Sequence, residues 1–332
     1  MRAIFAGGAD RCAFWHGNPH EDTTKIYWPY FGVKDDLELG FKLGDDFAWI
    51  YGDAAWQHPR GAPMFDVLGG KPRTSLSQPG FFADATSIAE VEAFPWPDLK
   101  YLDFTGLIAN VERARQRGQY VLSGLWAPFF HVVADFFGME NYFAKMYTDP
   151  AAVEAVTEKV VDFYLAANEL YFAQIGDRMD AYFFGNDFGT QRDLIISPRH
   201  FEEFILPWFR RFTDQARSRG HQVILHSCGS IARVIPRLIA SGVNCLHPLQ
   251  ARAAGMEAES LARDFQGKIA FLGGIDTQQL LVHGSPADVR AEVRRLKDVF
   301  GPWWIVSPSH EALLPNVPPQ NVAAMAEAAL EA

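Results

Sequence analysis

Cysteine is scarce in this chain: 332 residues contain three, Cys12, Cys228 and Cys245. So few, so widely separated, cannot build a disulfide framework, and they fit a reducing compartment. Basic blocks are also missing. Lys+Arg 30 against Asp+Glu 40 leaves a net charge of -10, which argues against nucleic acid or an anionic membrane surface as the main partner. No segment reaches the roughly 18 apolar residues of a spanning helix, and the opening MRAIFAGGADRCAFWHG lacks the uninterrupted apolar run of a signal peptide. The expectation is a soluble, cytoplasmic protein. No GxGxxG turn or phosphate loop marks a nucleotide crevice, and no internal repeat or low-complexity tract is visible.

What the chain does have is a large apolar content, 48% of its residues, enough to bury a large core. From about residue 120 onward, short apolar runs alternate with longer amphipathic segments, as repeated βα units require. Strands are predicted in DDFAWIY (45–51), YVLSGL (120–125), DAYFFGND (180–187), QVILHSC (222–228), NCLHPLQ (244–250), KIAFLGGID (268–276) and WWIVSPSH (303–310). Their near-continuous hydrophobicity implies parallel strands covered on both faces. Helix ends are equally readable. Ser285 and Pro286 suit N-cap and N1, Asp288 stands at N3, and Val289, Val293, Leu296 and Phe300 keep helical spacing until Gly301. Ser197 and Pro198 open a helix expected to kink at Pro207 and end at Gly220. The stripe Ile231, Val234, Ile235, Leu238 and Ile239 closes at Gly242, with Pro236 inside it.

These strands fit a (β/α)8 TIM barrel better than a doubly wound sheet. One domain over 1–332 is expected, with residues 1–118 richer in Gly, Pro and aromatics. There GNPHEDTT, HPRGAP and GGKPRTSLSQPG read as long loops covering one end of the barrel, and regular βα units follow from 119.

The tetrapeptide HSCG (226–229) stands where an apolar run stops. Side chains at i and i+2 of a strand share a face, so His226 and Cys228 converge, and they do so at the C-terminal end where barrel enzymes build their sites. They supply two zinc-type ligands, or else they are a core histidine beside a small thiol. His310 ends the last strand similarly and is a candidate third ligand, or a loop histidine bonded to backbone. Glu311 is a candidate ligand, base or substrate contact. Asp187, with Asn186 and Gln191 nearby, suits acid/base or hydrogen-bonding work, or else caps the next helix. Asp276 ends GGID, where Gly273 and Gly274 permit close backbone approach, and it too reads as a helix cap. Gln250 and His247 could line the same mouth, while Cys245 and Cys12 read as core. The aromatic content, 14%, reads mainly as packing, with a broad apolar cavity for a flat ligand as the alternative.

The stretch from SPRHFEEFILPWFRRFTDQARSRG through VILHSCGSIARVIPRLIASGVNCLHPLQ and FLGGIDTQQLL to SPSHEALLPNVPPQNVAAM resembles the uroporphyrinogen decarboxylase (URO-D) superfamily. It is most similar to the branch that includes corrinoid-dependent, zinc-containing methyltransferases. The resemblance implies a (β/α)8 barrel and, for Asp187, a place in the cleft. It also implies a zinc held by His226 and Cys228, with His310 standing where those methyltransferases have a second cysteine. Decarboxylases of the superfamily have a histidine in that last loop but lack the His-x-Cys pair. They carry an arginine-rich N-terminal motif for substrate carboxylates, where this chain offers only Arg11. Replacing a thiolate by a neutral imidazole raises the formal charge of such a site by one. That would tighten its hold on a bound anion and slow the anion's attack.

The function expected is zinc-dependent methyl transfer from a corrinoid or a small methylated donor to a thiol-type acceptor. Asp187 and His310 would be catalytic, with Asn186, Gln191, Gln250, Asp276 and Glu311 at the substrate and His226, Cys228 and His310 on the metal. A small molecule is the expected substrate, a corrinoid protein a possible partner, and neither nucleic acid nor membrane is implicated. The alternatives are a decarboxylase-like lyase acting on a carboxylated substrate and a non-catalytic corrinoid or tetrapyrrole binder.

Overall fold

The structure is a computed structural model and describes residues 5, 10–75, 77–85, 87–250 and 252–331. Eight parallel strands form the central sheet: β1 (Ala13–Phe14), β2 (Phe47–Trp49), β3 (Tyr120–Ser123), β4 (Ala181–Gly185), β5 (Gln222–His226), β6 (Cys245–Leu249), β7 (Ala270–Ile275) and β8 (Trp304–Pro308). Each of the seven segments predicted as strands contains one of them. From β2 to β8 consecutive strands are paired, and β1 pairs with β8 through Ala13 opposite Ile305 and Phe14 opposite Val306. Helices fill the connections, giving a (β/α)8 TIM barrel.

The first 118 residues, expected as loops covering one end, supply β1 and β2. β1 escapes sequence reading since two residues carry no periodicity. GNPHEDTT is not all loop either. Glu21–Phe31 is a helix whose first turn is capped by His20 Nδ1, which accepts from the Asp22 N–H, and which Gly32 ends in a left-handed conformation.

The ring closes between β1 and β2 mainly through carboxylates. One backbone hydrogen bond, Asp46 N–H to Phe14 O (2.9 Å), joins the two strands. Asp46 Oδ2 also accepts from the Phe14 N–H (2.9 Å) and from Arg11 (2.8 Å), while Asp45 Oδ1 accepts from the His16 N–H (2.9 Å). Side-chain acceptors thus substitute for ladder bonds that such short strands cannot make.

Helix punctuation follows local chemistry. Ser285 and Asp288 form a reciprocal capping box on Pro286–Phe300, where Val289, Val293, Leu296 and Phe300 are buried. The helix opened by Ser197 runs through Pro198–His200, a π-turn over Phe201–Ile205 and then Leu206–Ser218. The wider turn accommodates Pro207, which has no N–H to donate, so the expected kink takes the form of a π-turn. Pro236 sits in the first turn of Ile235–Ala240, preceded by a 3₁₀ turn, and so breaks nothing.

Alternate strand residues point inward. Ala13, Phe47, Leu122, Phe183, Ile224, Cys245, Leu272 and Ile305 fill the barrel interior, and both Cys245 and Cys12 are buried core. Two positions further along the same inward rows come Trp49, His226 and His247. Among the described residues, no helix is long and apolar enough to cross a membrane.

The closure makes a prediction. Asp46→Ala strands the Phe14 N–H and the Arg11 guanidinium, and should lower stability by about 2–3 kcal/mol in urea denaturation. A loss too small to measure would show that the ring closes without the carboxylate.

Candidate active site

Register builds the site. Gly185 of β4, His226 of β5 and His247 of β6 are successive Cα partners, so two imidazoles lie side by side above the interior layer. His226 Nδ1 stands 3.0 Å from His247 Nδ1. Gly185 contributes no side chain, and the Trp126 ring occupies the space instead. A Cβ at Gly185 would lie 2.2 Å from that ring, whose centre is 5.0 Å from that of His226.

His226 is the hub. Its Nε2 lies 3.3 Å from Cys228 Sγ and 3.3 Å from Asp187 Oδ1, and its Nδ1 lies 3.4 Å from Glu311 Oε2. Asp187 Oδ1 also accepts from the Cys228 N–H at 2.8 Å, and the Asp187 N–H donates to His131 Nε2 at 3.2 Å. Two sets of donor atoms are therefore close enough to share an ion: Asp187, His226 and Cys228 on one side of the imidazole, and His226, His247 and Glu311 on the other. Donors on one tetrahedral zinc lie roughly 3.3–3.8 Å apart, given bonds of about 2.0–2.3 Å. The first set has that spacing around His226 Nε2.

The electrostatics follow from burial and pairing. Burial alone would lower the His226 pKa, but the Glu311 carboxylate and hydrogen bonds to Asp187 and Cys228 outweigh it and hold the imidazole well above its ordinary value. Burial would likewise raise Asp187, yet its hydrogen bond and charge pairing with His226, aided by the Cys228 N–H, hold it far below the usual carboxylate range. Burial, and the charge on His226 and His310, keep His247 neutral. The Cys228 thiol is pushed up by burial, partly offset by His226.

The other predicted residues fall into distinct places. His310 stands one step outside the hub, its ring centre 6.0 Å from that of His226. Its Nδ1 accepts from the Ala312 N–H at 3.1 Å and lies 3.4 Å from Glu311 Oε2. Glu311 Oε2 is buried with no hydrogen-bond partner, as is His247 Nε2. Asn186 spends both ends of its amide on backbone, Oδ1 accepting from the Phe130 N–H (3.0 Å) and Nδ2 donating to Ala127 O (3.1 Å). Gln250 Oε1 accepts from the Gly229 N–H (2.9 Å) and from Gln191 Nε2 (3.2 Å), bracing the loop that carries Cys228. Asp276 accepts the N–H groups of Gln278 and Gln279 at 3.0 and 3.2 Å and so holds the turn after β7; the helix that follows, Leu280–His283, has Gln279 at its N-cap and no side-chain cap, so Asp276 is not the helix cap foreseen as its alternative. Gly273, at φ +124°, lets β7 approach the Leu249 N–H, which a Cβ would meet at 2.5 Å.

Gln191, Gln250, Asp276 and His310 also border a cavity of about 460 Å³ at the barrel mouth, with Arg252 and Asn316. Arg252 is the one lysine or arginine among its described lining residues. Arg11 is far from it, tied to Asp46 at the start of β1 and β2.

Sequence reading passed over Trp126, Asp53 and His131, and gave His247 no role at the hub. For His247 the signal was present, since QVILHSC and NCLHPLQ place a histidine at matching positions of adjacent strands. Asp53 lies in the loop after β2, where it accepts from the Trp126 N–H at 2.8 Å and from the Tyr51 hydroxyl at 3.4 Å. Burial pushes its carboxyl up to about 6 from an ordinary 3.8, against the pull of those two donors. A carboxyl that holds its proton more tightly when folded favours folding fully below about pH 4, and that contribution is lost as pH rises through about 6. Asp53→Asn removes the loss. The melting temperature of the variant relative to wild type should therefore climb between pH 4 and pH 7, and a flat difference would show an ordinary carboxyl.

Comparison with known proteins adds three findings. The methylated-thiol–coenzyme M methyltransferase of Methanosarcina mazei is 26% identical over 212 residues, which is 61% of this chain and 53% of that protein. The chain thus spans about half the length of that curated relative. A solved structure described as a methyltransferase from Methanosarcina mazei superposes with a TM-score of 0.67 at 16% identity, covering 98% of this chain and 96% of the other, a likeness of fold. The profile of the family described as uroporphyrinogen decarboxylase (URO-D) matches residues 74–332. The chain belongs to the uroporphyrinogen decarboxylase family.

Proposed function

We propose that this protein is a metal-dependent methyltransferase of the family, passing a methyl group from a corrinoid protein or a small methylated compound to a thiol-type acceptor. The observation that carries this reading is the His226 Nε2, Cys228 Sγ and Asp187 Oδ1 set, at zinc-ligand spacing around one ring nitrogen at the C-terminal mouth of the barrel. The related coenzyme M methyltransferase supports the reaction class. Nitrogen, sulfur and carboxylate donors together suit zinc, and Glu311 Oε2, buried with no hydrogen bond though near two imidazoles, is the kind of oxygen a cation satisfies.

His226, Cys228 and Asp187 would hold the ion, with His310 and Glu311 as further donors. His310 was proposed from sequence as the third ligand, but it stands farther off, and Asp187 has the closer spacing. A zinc ion there would keep a thiol acceptor deprotonated. The protein's own groups do the rest. Gln250 braces Gly229 and so the Cys228 loop, while the amides of Gln191 and Asn316 offer hydrogen bonds to a polar acceptor in the mouth cavity. His310, which borders that cavity, would move a proton to or from the acceptor, in place of the acid/base role first expected of Asp187. Three unpaired cysteines agree with a reducing, cytoplasmic setting, and we take the chain to act as one barrel unit.

The cavity also weighs against the lyase alternative. At about 460 Å³ it has small-ligand size, and with Arg252 as its only described lysine or arginine it is poorly equipped for a tetrapyrrole bearing many carboxylates.

Elemental analysis tests the reading. Wild type purified without chelators should carry close to one zinc per chain. Cys228→Ser and Asp187→Asn should each weaken retention at least about ten-fold against a chelator, with a smaller effect for His310→Ala. Metal-free wild type, or a Cys228→Ser variant that keeps its metal, would overturn it.

A further inference from the structure

The mouth has two unlike sides. Beyond β6 to β8 lies the amide-lined cavity, whereas the β2 to β4 side is an aromatic ledge that no part of the proposed reaction uses. Trp49, Tyr51 and Trp126 form it, with ring centres 5.3 Å (Trp49–Trp126), 5.4 Å (Trp49–Tyr51) and 6.4 Å (Tyr51–Trp126) apart. The planes meet at 44°, 75° and 62°, so the rings turn a corner and do not stack flat. Tyr51 is 44% exposed, and the two tryptophans are half-buried. The ledge reaches the reactive centre through Trp126, whose ring abuts His226 at 5.0 Å, the residue next to Cys228 Sγ.

A carboxylate stands behind the ledge. Asp53 accepts from both the Trp126 backbone and the Tyr51 hydroxyl, so a carboxylate is fastened to two of the three rings. Asp187 is paired with the His226 imidazole at 3.3 Å, so Asp53 is the carboxylate that serves the ledge. Among the described residues, no lysine or arginine is hydrogen-bonded or ion-paired to Asp53. Aromatic faces backed by carboxylates attract cations that shed water easily, and among methyl donors those are onium compounds.

We propose that the Trp49–Tyr51–Trp126 ledge, with Asp53 behind it, binds an onium methyl donor, a quaternary ammonium or sulfonium compound, and presents its methyl group toward Cys228. This rests on the methyl-transfer reading and names the donor. The step balances without a further reactant. An acceptor thiol gives its proton to solvent, and its sulfur pair forms the S–C bond. The C–N or C–S bond of the onium group breaks, and its electron pair leaves on a neutral amine or thioether. One anion and one cation become two neutral products, so a wall of aromatic rings that excludes water favours the step.

Binding of choline and of its uncharged carbon isostere, 3,3-dimethylbutan-1-ol, measured by calorimetry, tests the proposal. Choline should bind at least about ten-fold more tightly than the isostere, and Trp126→Leu should remove most of that preference. Tyr51→Leu, at a half-exposed rim position that tolerates change, should weaken choline several-fold and leave the isostere unaffected. Tetramethylammonium and trimethylsulfonium, compared in the same way, tell which onium class the ledge prefers. Equal affinity for choline and the isostere, or a choline affinity unmoved by Tyr51→Leu, would overturn the proposal. Cys228→Ser should lose metal and keep the choline preference, so a failure of the metal reading shows in the zinc content alone.

Discussion

One constraint organises this molecule: in a strand every second side chain faces the barrel interior, and parallel register brings equivalent rows together at the same height. Because Gly185, His226 and His247 are partners across three adjacent strands, two imidazoles and an empty place are forced onto one level of the mouth. The empty place admits Trp126, and the imidazoles draw in Asp187 and Glu311 from the loops that follow β4 and β8. A one-residue slip of β5 would turn His226 out toward the helices and leave Ile224 and Leu225 to exchange faces, dismantling core and site together.

The hub is costly as a purely structural feature. A histidine buried among two carboxylates, a thiol and a second histidine concentrates groups that each prefer water. Its neighbours offset that cost on one side only. Around Nε2, the Cys228 N–H and Asp187 are mutually satisfied. Around Nδ1, Glu311 Oε2 and His247 Nε2 remain buried without hydrogen bonds. Such an imbalance fits the proposed metal site, where an ion would satisfy the orphaned atoms. The barrel tolerates it because stability is supplied elsewhere, by a filled interior and by helices packed on its outside.

The division of the mouth into a polar cavity and an aromatic ledge has the same origin. β6 to β8 lead into Gln250, Asp276 and His310, whereas Trp49 ends β2, Tyr51 follows it and Trp126 follows β3. Two chemically different faces on either side of one nucleophile-bearing residue suit a reaction with two unlike partners. Electrostatics reinforce the split, since Asp53 backs the ledge while Arg252 is the one described arginine lining the cavity.

Repeated apolar runs made the covered parallel strands legible and, with no nucleotide-binding turn among them, favoured the barrel over a doubly wound sheet. Helix ends at Ser285 and Gly301, and the convergence of His226 with Cys228, were likewise legible, since both depend on spacing within a few residues. β1 was not, being two residues held by β8 and by Asp46 from distant parts of the chain. Nor could sequence order choose between His310, Asp187 and Glu311 beside His226, or bring Trp126 over Gly185. Those placements depend on strand register and loop path between segments tens of residues apart, and only the closed barrel decides which of several plausible side chains reaches the centre.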